Sequence, residues 1–146
     1  MIKRTILFSM GMIICGIVSA QTTGKQTKSM LERSPAGEKL IRFVKAVNGE
    51  MEVNEDFVNT NFSNKGIENL GDAPKVLNEL AEQNGKMVVH EVFRKSYFSF
   101  DFTIKGTESG WILLSFDMHD QMPYGINKYE IKSIDAPEKI GDDMGI

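Results

Sequence analysis

The sequence predicts an α+β domain, with N-terminal helices packed on a curved antiparallel sheet of about four strands. Three observations carry that expectation. Between residues 34 and 85 apolar side chains recur at helical spacing. After Gly85 the spacing switches to two, the period of a strand with one buried face. The strand-like runs follow one another across short turn-forming segments, which suits hairpins and therefore antiparallel pairing.

The first helix begins at "SPAGEKLIRFVKAVNGE". Ser34 is placed to cap it and Pro35 suits its first position. Leu40, Phe43, Val44 and Val47 form one stripe, which Ile41 broadens, and Gly49 is a natural stop. A second start follows at Asn54, where Glu55 and Asp56 suit the positive end of a helix and Phe57, Val58 and Phe62 give it a packing face. "SNKGIENLG" reads as a turn or one short helical piece. In "DAPKVLNELAEQNG", Asp72 caps, Pro74 sits in the first turn, Val76, Leu77, Leu80 and Ala81 face one way, and Gly85 ends the helix.

Four strands are then expected. "KMVVHEVFR" is the first. "YFSFDFTIK" alternates most plainly, with Phe98, Phe100, Phe102 and Ile104 on one face and Tyr97, Ser99, Asp101, Thr103 and Lys105 on the other. "WILLSFDM" places Ile112, Leu114, Phe116 and Met118 inward, and "INKYEIKSI" is the fourth. The intervening "MHDQMPYG" reads as a loop leaving a strand, because Asp120, Pro123 and Gly125 are turn formers.

The ends of the chain carry a different signal. Lys3 and Arg4 precede a largely apolar run from Ile6 to Val18, closed by Val18-Ser19-Ala20. Residues 1–20 therefore read as a secretory signal peptide cleaved near Ala20, and the protein is expected to be exported, periplasmic or extracellular. The run is shorter than the roughly 20 apolar residues that span a bilayer, so no membrane anchor is expected in the mature form. The only cysteine, Cys15, follows Ile14 where lipoprotein signals place a small residue, and cleavage would remove it. Residues 21–33 read as a flexible leader, 34–135 as a single domain and 136–146 as a polar C-terminal tail. Loss of Lys3 and Arg4 would leave fifteen basic against twenty acidic residues, a net charge of −5. That balance argues against nucleic acid and anionic membrane as partners.

Several short motifs resemble a known arrangement. Pro35 and Gly37 open the first helix, Asn48-Gly49 ends it, Asn61-Phe62-Ser63 ends the second, Asn84-Gly85 precedes the first strand, and Gly110-Trp111 lies at a hairpin. Over residues 34–135 the chain resembles NTF2-like or cystatin-like domains of exported bacterial proteins. More closely, it is similar to the small domain that precedes serine hydrolase or tail-specific protease domains. The resemblance implies a cone-shaped accessory module, because in the fused proteins the hydrolytic residues lie in the separate downstream domain. It transfers no activity, since the fold hosts enzymes, binders and scaffolds.

No Walker or dinucleotide loop, HExxH, GxSxG or SxxK occurs, so no cofactor, metal or nucleophile is expected. The expected function is non-catalytic: binding a small ligand or peptide, or acting as an accessory module. His90 in "MVVHEVF" shares parity with Val88 and Val92, which suits either a satisfied core histidine or a pocket residue contacting ligand. Ile67 and Leu70 are candidate lid residues at the open end of a cone. A small enzyme is the alternative, with His90, or His119 with Asp117 or Asp120, as acid–base group. Asp101 is the aspartate suggested by the isomerase-like branch of the fold, yet its parity points outward. A third alternative is a homodimer, or pairing with a separate envelope protein, through Tyr97, Trp111, Leu113 and His119 on the outer sheet face.

Overall fold

The computed structural model describes residues 23–146, so the expected signal peptide lies outside the described residues. The elements run β1 (Gly24–Gln26), α1 (Lys28–Glu32), α2 (Pro35–Val47), α3 (Glu55–Asn61), α4 (Asn64–Leu70), α5 (Ala73–Asn84), β2 (Met87–Ser96), β3 (Ser99–Gly106), β4 (Gly110–Met118) and β5 (Ile126–Ser133). All five strands join one sheet in chain order, each antiparallel to the next. The α+β class stands, with five strands rather than four.

The helices begin where side-chain oxygens can take up orphan backbone N–H groups. Ser34 Oγ accepts from Gly37 N–H at 3.2 Å, Asn54 Oδ1 from Phe57 N–H at 2.9 Å, and Asp72 Oδ1 from Lys75 N–H at 3.2 Å. Pro35 occupies the first turn of α2, where its missing N–H costs nothing. The buried stripe of α2 meets the inner sheet face through Phe43, whose ring lies 5.1 Å from Phe116, 5.2 Å from Tyr129 and 6.2 Å from Phe62. Phe100, Phe102, Ile104, Ile112, Leu114, Phe116 and Met118 are all buried on that face, as alternation along β3 and β4 requires. Asn48, at the end of α2, ties the layers together: its amide donates to the Met87 carbonyl at 2.9 Å and accepts from Met87 N–H at 2.8 Å.

Within the segment expected as a leader, residues 24–32 form β1 and α1. Gly24–Gln26 pair with residues 92–94 of β2, and Thr27 caps α1, which buries Leu31. Local polarity concealed this, because a three-residue edge strand needs only backbone partners. The polar tail is also tied down. Met144 N–H donates to the Val89 carbonyl at 2.9 Å, Lys28 Nζ donates to the Gly145 carbonyl at 2.6 Å, and Ile146 is buried. The tail thus continues along the edge of β2 where β1 stops.

Register shifts interrupt the sheet at three places, one between Arg94 and Ser96 at the end of β2 and two next to the sheet edges. On β2, Val89 faces Ile104 and Glu91 faces Thr103, so His90 is the extra residue. On β5, Ile126 faces Met118 and Lys128 faces Asp117, so Asn127 is extra. The bulge at His90 breaks the strict alternation on which its expected parity rested: Val89 and Val92 are both buried, and Val88 is not.

Candidate functional site

Asn127 and α4 flank a hollow beside β5. The bulge turns the Asn127 side chain toward the start of α4, where Ser63 Oγ–H donates to its Oδ1. Ser63 also caps α4, accepting from Gly66 N–H at 3.0 Å, and its own N–H donates to the Ile126 carbonyl at 3.1 Å. Farther along the helix, Asn69 Nδ2 donates to the Asn127 carbonyl at 3.0 Å. A Cβ at Gly66 would collide with the Ile126 carbonyl, so only glycine lets the helix backbone approach this closely.

Between α4 and the first half of β5 lies a hollow of about 350 Å³. Phe62, Leu70 and Ile126 form its apolar wall, and Asn69, Lys128 and Tyr129 supply polar groups. A few polar groups around an apolar body is the usual composition of a small ligand site. Tyr129 is half-buried, and burial, with a smaller effect of the Glu79 carboxylate, holds its phenol above the ordinary tyrosine pKa. Leu70 therefore lines a cleft, whereas Ile67 packs, partly buried, against the core.

A second hollow of about 410 Å³ shares Phe62 and Asn127 with the first and is otherwise lined by Asn59, Ser63, Lys65, His119 and Met122. His119 Nδ1 accepts from Gln121 N–H at 3.2 Å, and the loop is closed by His119 N–H donating to the Gly125 carbonyl at 2.7 Å. "MHDQMPYG" is thus the connecting loop that its turn residues suggest.

His90 lies elsewhere. Its ring contacts Trp111 on the outer sheet face, with centroids 5.1 Å apart, and Nδ1 bonds the Gly141 carbonyl at 2.7 Å. It borders a shallow hollow of about 260 Å³ beneath the tail, with Lys25, Lys28 and Met144. Of the two readings of His90, its geometry is that of a partly buried histidine satisfied by a hydrogen bond, with its ring against Trp111 on the outer face. Among the described residues neither histidine bonds a carboxylate, and no group of three or more metal-ligating side chains converges. The acids are engaged with other groups. Asp101 pairs with Lys95 at 2.8 Å and accepts from Ser115 Oγ at 2.6 Å, and Asp117 accepts from Ser99 Oγ at 2.8 Å, while Asp120 is exposed.

The four outer-face residues do not form one patch. Trp111 pairs with Lys105 at one end of the β3–β4 hairpin, and Ser99 pairs with Asp117 at the other. Those ends lie about 20 Å apart at about 3.4 Å per residue. Leu113 stays near Trp111, while His119 and Tyr97 lie at the opposite end. Tyr97 there stacks on Arg94, a buried cation whose Nη2 donates to the Tyr97 carbonyl at 2.7 Å and whose Nε donates to the Ser96 carbonyl at 3.1 Å. Asn127, Asn69 and Arg94 escaped sequence reasoning. Their roles come from backbone carbonyls that no local pattern marks, although the N-cap pattern Ser-x-x-Gly at Ser63 was a usable signal.

Comparison with known proteins returns no matching family model, no matching curated protein and no matching solved structure. Among the described residues no helix is long and apolar enough to cross a membrane.

Proposed function

We propose that this chain is an exported, non-catalytic binding module, whose ligand places an apolar group in the hollow between α4 and β5. The observation that carries the reading is the hollow itself: an apolar wall of Phe62, Leu70 and Ile126, ringed by Asn69, Lys128 and Tyr129, at the margin of the sheet. The space between helices and sheet is filled by Phe43, Phe62, Phe116 and Tyr129, so the ligand enters from the side. A non-catalytic role is supported by the engagement of both histidines with backbone groups, away from any carboxylate. Helices on one face of an antiparallel sheet support an NTF2-like or cystatin-like assignment. Export rests on the charged and apolar pattern of residues 3–20.

Titration with capped amino-acid amides tests the reading, using N-acetyl-leucinamide and N-acetyl-phenylalaninamide as probes and backbone amide resonances as readout. Saturable shifts at Leu70, Asn127 and Tyr129 are expected. Absence of any shift there up to about 10 mM probe, beyond the range of ordinary weak binding, rejects it.

A further inference from the structure

The hollow adjoins an open sheet edge. β5 pairs with β4 on one side only. Its outer flank is closed at Ile126, by a parallel bridge from Phe62 and the Ser63 N–H, and at Asn127, by the Asn69 amide. From Lys128 to Ser133 no described strand or side chain takes up that flank. Edges of this kind accept an added strand, with main-chain bonds supplying affinity and alternate side chains supplying specificity. Tyr129 and Ile131 face inward opposite Phe116 and Leu114, while Lys128, Glu130 and Lys132 face outward in the order plus, minus, plus.

We infer that the occupant is an extended peptide that adds to β5 as a sixth strand over residues 128–132, seats one apolar side chain in the hollow beside Tyr129, and carries outward charges in the order acid, base, acid. This rests on the binding reading above. Opposite charges directly across a strand pair favour pairing and like charges oppose it. The pattern on β5 is palindromic, so the same peptide pattern is matched in either strand direction.

A second copy of this chain fits less well. Antiparallel self-pairing centred on Glu130 sets Glu130 against Glu130 and Lys128 against Lys132. Centred on Tyr129, it drives the copy into α4, which already closes residues 126 and 127. Centred on Ile131, it matches Glu130 with Lys132 but places Ser133 opposite Tyr129, which leaves the hollow empty. No self-pairing register satisfies both the charges and the hollow.

The test uses a capped seven-residue peptide, Thr-Glu-Leu-Lys-Leu-Glu-Thr, followed by amide resonances of the full exported chain. Saturable shifts along 128–132 and at Leu70 are expected. Two further peptides carry N-methyl groups on alternate residues, in opposite phases. One phase blocks the edge facing β5 and is expected to bind at least tenfold more weakly, while the other is expected to change less than twofold. E130K is expected to weaken the parent peptide several-fold and to restore binding to a peptide with Glu in place of its central Lys. Equal binding of both N-methylated phases, with shifts confined to the hollow, overturns strand addition and leaves the hollow as a ligand site. If the capped amides above also give no shift, the binding reading falls with it. Concentration-dependent shifts along 128–133 without peptide overturn the inference in favour of a second copy. Failure of the charge exchange at residue 130 overturns the charge order.

Discussion

The two edges of the sheet are closed by different means. At the β5 edge a helix backbone presses on the strand, with Gly66 against the Ile126 carbonyl and Ser63, Asn69 and Asn127 exchanging hydrogen bonds. At the β2 edge an irregular tail from the far end of the chain lies along the strand, held through Val89, His90 and Lys28 and by burial of Ile146. Each edge carries a bulge whose extra residue points at its cover, Asn127 toward α4 and His90 toward Gly141. The helix covers only two residues of β5 and leaves an open flank beside a hollow, whereas the tail takes over where β1 ends. The close-packed cover leaves most of the adjacent strand open, and the loose one covers backbone that β1 does not reach.

This contrast can be broken most sharply at Gly66. Gly66→Ala forces α4 away from β5, and the expected loss is about 3 kcal/mol, the upper part of the range for overpacking a tight contact. Urea unfolding measures it, and a change below about 0.5 kcal/mol, the scatter of ordinary surface substitutions, would show that α4 is not tightly seated. Ile146→Ala removes the apolar anchor of the tail and is expected to cost about 2 kcal/mol, the low end for a buried aliphatic truncation. Hydrogen exchange should then rise at Met144 before the strands loosen; simultaneous loss of protection throughout would mean the tail is integral to the core. His90→Ala deletes the bond to Gly141 and the Trp111 contact, with an expected cost of about 1 kcal/mol, typical of one hydrogen bond. Limited proteolysis between residues 135 and 146 should accelerate, and unchanged cutting would remove His90 from the tail's attachment.

The smallest effect is electrostatic. Burial raises the Tyr129 pKa in the folded protein. Its contribution is therefore fully present below the unfolded tyrosine pKa of about 10 and is lost as pH rises through the folded value, because the unfolded chain ionises first. Tyr129→Phe should flatten the decline in stability above about pH 10. A decline as steep as in the parent protein would place the alkaline sensitivity elsewhere.

Much of the fold was legible because its signals are local. The caps at Ser34, Asn54 and Asp72, the helical stripe through Leu40 to Val47 and the alternation through Phe100, Phe102 and Ile104 each need only a few neighbouring residues to be read. Leu70, expected with Ile67 as a lid residue, lines the hollow beside α4, but its neighbours there were not legible, because Asn127 is placed only through a one-residue register shift. The same kind of shift misled the reading of His90, whose parity holds only if the strand is regular.

By itself the sequence determined α2, α3 and α5, four of the five strands and the faces that β3 and β4 bury, since these follow from backbone sterics and the periodic placement of apolar side chains. Tertiary structure alone decided the fifth strand, the path of the tail and the seat of α4 on β5. Those depend on backbone carbonyls and glycine clearances between segments up to more than a hundred residues apart, as between Lys28 and Gly145, and such contacts leave no period along the chain.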